Sequence, residues 1–186
     1  MPVVEVHVIE GYDAAEKSRL CRGLTDAVRQ VIPAPVEAVT VMIHEMADGG
    51  YMRGREARTP APALPDPVAV VRGFLEAMQA RDLETARAAL GPDFVMCFPG
   101  SAPMHQLEEL LDWAAPRYQR VGKVFEGVDV SQTAGAATVV YCRGTLYGAW
   151  PDGTPFEGIR FVDRFELEGG RITRQDVWND LGEVRR

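Results

Sequence analysis

Four prolines in ten residues, Pro60, Pro62, Pro65 and Pro67 within the run 58–67, constrain this chain more than any other feature. Each fixes its own φ, withholds a backbone donor and restricts the residue before it, so neither a helix nor a central strand can pass through. The stretch reads as a stiff, extended linker. It predicts a first domain over 1–57, a linker over 58–67 and a second domain over 68–186. A length of 186 residues accommodates two such domains.

An apolar fraction of 46% is ample for packed cores. The 20 basic residues against 27 acidic ones give a net charge of −7, which repels phosphate backbones and argues against a nucleic-acid partner. No apolar run reaches the roughly 18 residues of a membrane span, and the N-terminus lacks the pattern of a signal peptide. A soluble, cytoplasmic protein with no membrane partner is expected. Cys21, Cys97 and Cys142 show no metal-ligand spacing and read as reduced, mostly buried thiols.

In the first part, Val4, Val6 and Val8 alternate with Glu5 and His7, the period of a strand, to about Glu10. Asp13 and Glu16 form a capping box, and Leu20, Cys21, Leu24, Ala27, Val28 and Val31 make one helical stripe. Pro33 and Pro35 end that helix near Ile32, and Val39, Val41 and Ile43 begin a second strand. Strand, helix and strand make a parallel β-α-β unit with a right-handed crossover. Two strands covered on one face bury too little to stand alone, so homo-oligomerisation through this domain is expected.

Pro2 directly follows Met1. Removal of the initiator methionine would leave a secondary amine at the head of the first strand. Chain-terminal amines titrate near 7.7–8.0 in peptides, proline's is more basic, and apolar burial or nearby cations disfavour its charged form. A neutral proline nitrogen can therefore act as a base at neutral pH.

The run Pro2 to Gly11, the helix after it, and Val41-Met42-Ile43-His44-Glu45-Met46 with Gly49 resemble the 4-oxalocrotonate tautomerase family over residues 2 to about 56. The resemblance implies a β-α-β subunit, no metal or organic cofactor, a small-molecule carbonyl substrate, and Pro2 as general base in a site shared between subunits. Tyr51 stands where the family has an aromatic residue near the pocket. Tyr12 and Thr40 occupy the positions of two arginines that bind a dicarboxylic substrate in the family's best-known members. Arg53 and Arg55 follow, where the family folds a small hairpin. Either they replace that clamp, since guanidinium forks bind carboxylates, or they are a solvated hairpin. His7 and His44 read as packing or surface residues.

In the second part, Asp66 caps a helix with Pro67 at its first position and Val70, Val71, Phe74, Leu75 and Met78 buried. A short helix over 82–90, a strand around Phe94 to Phe98 and a third helix from His105 through Ala114 follow. Four long strands are then predicted, 123–132, 136–150, 155–168 and 171–180, joined by Ala-Gly, Asp-Gly and Gly-Gly turns. Helices first and a curved antiparallel sheet afterwards make an α+β cone.

Along Ile159, Phe161, Asp163, Phe165 and Leu167, only Asp163 is charged. A carboxylate on an apolar face must be paired, hydrogen-bonded or protonated. A two-residue Gly169-Gly170 turn would set Asp163 opposite Asp176, and Phe161 opposite Trp178. Two facing carboxylates suit acid–base chemistry; alternatively Arg174 neutralises Asp163.

Arg143-Gly144-Thr145, Gly148, Pro155 with Gly158, and Gly170-Arg171-Ile172 leading to Trp178-Asn179-Asp180-Leu181-Gly182 resemble SnoaL-like polyketide cyclases of the nuclear transport factor 2-like superfamily. The resemblance implies a cone-shaped pocket in which an aspartate, matched by Asp180, acts on a carbonyl compound. His105 either lines its mouth or lies on the surface.

The fold class expected is thus α+β, a tautomerase-like β-α-β unit followed by the cone. Three functions compete. The first is an isomerase in which Pro2 is the base and Tyr12, Tyr51, Arg53 and Arg55 bind substrate. The second is a cyclase or isomerase using Asp163 and Asp180, with Phe161, Asp176 and Trp178 around the substrate and the first domain as an oligomerisation module. The third is a non-enzymatic binder.

Overall fold

The computed structural model describes residues 1–47 and 49–184. The chain divides into two compact units, Met1–Ala63 and Leu64–Arg186.

The first unit contains β1 (Val3–Ile9), α1 (Ala14–Arg29) and β2 (Thr40–Met46). Its capping box is complete: Glu16 N–H donates to Asp13, and Asp13 N–H donates to the Glu16 carboxylate, both at 2.8 Å. The helix stops at Arg29, before the prolines, and Val31 and Ile32 lie in the turn beyond it. β1 and β2 pair in parallel, Val3 opposite Thr40 through Ile9 opposite Met46. One face carries the half-buried Val4, Val6, Val8, Val41 and Ile43. The Lys17–Glu45 ion pair, 2.9 Å, ties α1 to that face. On the other face Glu5, Met42, His7 and His44 are exposed. Among the described residues, none before Val71 is fully buried. A hairpin, β3 (Met52–Arg53) and β4 (Glu56–Ala57), turns through Gly54 and Arg55 at φ 64° and 67°.

The second unit begins with α2 (Pro67–Ala80), whose Val68 N–H donates to Asp66 at 2.9 Å. α3 (Leu83–Ala88) is shorter than expected, because Leu90, Gly91 and Pro92 already belong to β5 (Leu90–Cys97). A proline is tolerated there because β5 is an edge strand. α4 (Leu107–Ala114) starts after a Gln106 cap, so His105 precedes it. β6 (Arg120–Gln132), β7 (Thr138–Ala149), β8 (Pro155–Glu168) and β9 (Arg171–Asn179) complete a sheet of order β5-β9-β8-β7-β6, and α5 (Leu181–Val184) ends the unit. The sheet is antiparallel except that β5 runs parallel to β9. Register shifts interrupt β6–β7, β7–β8 and β8–β9, and such bulges bend a sheet. The core holds Val71, Phe74 and Leu107 from the helices with Val140, Phe165 and Ile172 from the sheet. Phe74 meets Phe94 and Phe165 edge-on at 6.4 and 6.0 Å.

Candidate functional site

Pro2 leads into β1, and its carbonyl accepts the Thr40 N–H at 3.0 Å, so the first residues are tied to β2. Met1 is 91% exposed and packs little in front of it. At the other end of β1, Val8, Ile9, Tyr12, Tyr51, Arg53 and Arg58 line a hollow of 480 Å³ closed by Thr59 to Ala61. The Tyr12 hydroxyl donates to the Ala61 carbonyl at 3.0 Å, which folds the start of the proline-rich run over the Gly11 turn. A Cβ on Gly11 would stand 2.9 Å from the Pro60 ring. Among the described residues, two guanidiniums, two phenols and no carboxylate border this hollow. Tyr12, Tyr51 and Arg53 are therefore brought together. Arg55 is not among them: it sits in the hairpin turn. Arg58, which sequence reasoning left in the linker, takes its place. Pro2 lies a full seven-residue strand away, about 20 Å at some 3.3 Å per residue.

Glu5, His7 and His44 offer ligand atoms within 4.8 Å of one another on the exposed face of β1 and β2. The two imidazoles stack with centroids 4.8 Å apart. Among the described residues this is the cluster able to hold a metal ion. Its signal in the sequence was the shared strand face, visible once β1 and β2 are set in register.

In the second unit the structure corrects the β8–β9 pairing. Glu168 does pair with Arg171 across the two-glycine turn, but Leu167 pairs with Ile172 while Glu166 pairs with Arg174, leaving Thr173 as an extra residue. Beyond this bulge Asp163 faces Val177, Arg164 faces Asp176, and Phe161 faces Asn179. Asp163 and Asp176 are not opposed. Gln175 and Val177 turn inward, buried, while Trp178 is 54% exposed. Asp176 instead takes Arg174 at 2.8 Å and Arg164 at 3.4 Å. Arg174 thus neutralises Asp176 and not Asp163. Hydrogen bonding to Asp176 raises the Arg174 pKa above its ordinary value.

Asp163 is wholly buried, and its partner is Lys123 of β6. The Lys123 ammonium also lies 4.7 Å from the Phe161 ring centroid. Burial pushes the Asp163 carboxyl above its ordinary value, a shift that Lys123 opposes but does not cancel. Asp163 Oδ1 and Gln175 Oε1 are both buried without a hydrogen-bond partner. Asp180 lies elsewhere: it accepts from Arg160 Nε at 2.6 Å and begins the last helical turn. Phe161, Asp176, Trp178 and Asp180 border one groove of 590 Å³, open to solvent, from which Asp163 is absent. His105 is anchored, its Nδ1 3.2 Å from the Phe94 carbonyl. Lys123 and Gln175 were not singled out from the sequence. Lys123 belongs to the strand beyond β7, and the bulge alone turns Gln175 inward.

A family profile described as tautomerase enzyme matches residues 2–57, and one described as SnoaL-like domain matches residues 71–175. A 2-hydroxymuconate tautomerase of Pseudomonas putida is 36% identical over 56 residues, which cover 30% of this chain and 89% of that protein. A nuclear transport factor 2-like protein of unknown function from Burkholderia pseudomallei superposes with a TM-score of 0.53 at 21% identity, covering 65% of this chain and 95% of its own. An LEH-like epoxide hydrolase of Mycobacterium tuberculosis gives a TM-score of 0.50 at 24% identity, covering 66% of this chain and 84% of its own. These two structures show the fold of the second unit, and a fold does not select a chemistry. The chain is a fusion: residues 2–57 belong to the tautomerase enzyme family and residues 71–175 to the SnoaL-like domain family.

Proposed function

We propose that the chain is an isomerase that interconverts the enol and keto forms of a keto acid-like compound, with Pro2 as general base and no cofactor. Removal of Met1 turns the Pro2 nitrogen from an amide into a secondary amine. In its neutral form this amine takes a proton from the enol hydroxyl or α-carbon and returns it to the other atom, so that the step is balanced without a co-reactant. The observation that carries the reading is the placement of Pro2 at the head of a strand, tied to Thr40, within a segment of the tautomerase family.

The hollow at the other end of β1 supplies what the base lacks. Arg53 and Arg58 are suited to a carboxylate, and Tyr12 and Tyr51 to an enol or carbonyl oxygen. Because Pro2 and this hollow lie at opposite ends of one strand, the working site joins the Pro2 of one copy to the hollow of another. The exposed face of β1 and β2, with no fully buried residue among the described ones of its unit, supports the homo-oligomer that this requires.

The test is the ketonisation of phenylenolpyruvate by protein whose intact mass shows Met1 removed. Pro2→Ala should lower kcat/KM by roughly 10²-fold or more, and protein that retains Met1 should be equally slow. Wild-type rates in Pro2→Ala would sink the proposal.

A further inference from the structure

The pairing of β1 with β2 sets three metal-binding side chains together on the face opposite the one to which Lys17 ties α1. His7 stands directly across from His44, and Glu5 lies two residues before His7, on the same side of the pleat. Their ligand atoms are within 4.8 Å of one another, and the two imidazoles stack at an interplanar angle of 18°. Paired strands hold all three, and strands place ligands more firmly than a loop does. In a tetrahedral zinc site with bonds of about 2.0–2.1 Å, ligand atoms stand some 3.3 Å apart. Exposed side chains can close that difference by rotation about their χ angles.

Nothing else within the chain employs these groups. Glu45, the residue after His44, points to the other face and pairs with Lys17 at 2.9 Å. Among the described residues no cation pairs with Glu5, and the His7 and His44 rings make no hydrogen bond. Two imidazoles with one carboxylate suit zinc and its divalent neighbours, whereas magnesium and calcium take oxygen ligands. The third histidine, His105, belongs to the second unit, its Nδ1 3.2 Å from the Phe94 carbonyl.

We infer that Glu5, His7 and His44 bind one divalent transition-metal ion of the zinc kind, with water in the fourth position. The ion links β1 to β2 through side chains, in a unit whose described residues include none that is fully buried. Binding to the folded form alone therefore stabilises that unit. In the homo-oligomer of the proposed isomerase this face meets another copy, where an uncompensated carboxylate is costly to bury and a bound ion removes that cost. This last consequence rests on that reading; the coordination needs one chain only.

Calorimetric titration of the reduced, chelator-stripped full chain with Zn²⁺ tests the inference, with Mg²⁺ as the oxygen-seeking control. Zn²⁺ should bind saturably at one ion per chain, and an equal concentration of Mg²⁺ should not displace it. Glu5→Gln, His7→Gln and His44→Gln should each weaken binding at least about tenfold, since even outer-shell partners of a metal are worth that much. His105→Gln should bind as the wild type does. The substituted side chains of the site are exposed, and melting of each metal-free variant checks its fold. Saturating Zn²⁺ should raise the melting transition of the first unit and leave that of the second in place. No saturable binding to the wild type, wild-type affinity in any of the three site variants, an equal loss in His105→Gln, displacement by Mg²⁺, or an unmoved first transition would each overturn the inference. The readout is binding and melting, not ketonisation, so its failure is distinguishable from failure of the isomerase.

Discussion

Replacing Lys123 by Met would leave Asp163 as a carboxylate with no counter-charge at a position without solvent exposure. Breaking a buried pair from one side costs about 3–5 kcal/mol, and the cost should depend on pH. Burial holds the folded-state pKa of Asp163 above 3.8, and loss of the ammonium raises it further. A raised carboxyl contributes its stability fully below the unfolded value and loses it as pH rises through the folded one. Urea denaturation of Lys123→Met should therefore show a large deficit at pH 7 that closes near pH 4. The Cys142 thiol, opposite Asp163 on β7 and fully buried, is pushed up to about 11 by burial. Native protein should expose Cys21 and Cys97 to a thiol reagent while Cys142 reacts only after unfolding. At this scale the sequence marked Asp163 as a charge on an apolar face that needs a partner, because one charge in an apolar alternation stands out, and the structure gives it one in Lys123. The sequence could not mark Lys123, because the pairing spans β7 and depends on how the sheet curves.

Among the elements, β7 carries the geometry of the cone. Gly144 pairs with Phe125 on one side and Phe161 on the other, and those two rings meet edge-on with centroids 6.0 Å apart. A Cβ at Gly144 would collide with the Val124 carbonyl oxygen, which is backbone and cannot swing aside. Gly144→Ala should cost roughly 1–3 kcal/mol, toward the upper end of the range for overpacking, as read by urea unfolding. The helices α1, α2 and α4 and the long strands were legible from periodicity and caps. The inward face of β9 was not, because alternation assumes one residue per step and Thr173 adds one. Under strict alternation Arg174, Asp176 and Trp178 would face inward; the bulge sends Gln175 and Val177 there instead. Arg58 escaped notice for a related reason. A proline-rich run reads as a spacer, but its first residues fold back against the Gly11 turn.

For the molecule as a whole, the two-part organisation was legible because the proline run falls between the two family matches. The units differ in what holds them together. The second has a core of its own, with Phe74, Phe165 and Ile172 nearly or fully inaccessible to solvent, whereas the described residues of the first include none that is fully buried. Association that stabilises only the folded form makes melting depend on concentration. Calorimetry across a hundredfold dilution should therefore move the transition of the first unit and leave that of the second in place. The separation of Pro2 from the Tyr12–Arg53 hollow along β1 has its own outcome. Chains with Pro2→Ala and chains with Arg53→Ala would each be inactive alone. Mixed by unfolding and refolding together, they would complement each other, because a share of the composite sites would combine an intact nitrogen from one parent with an intact guanidinium from the other.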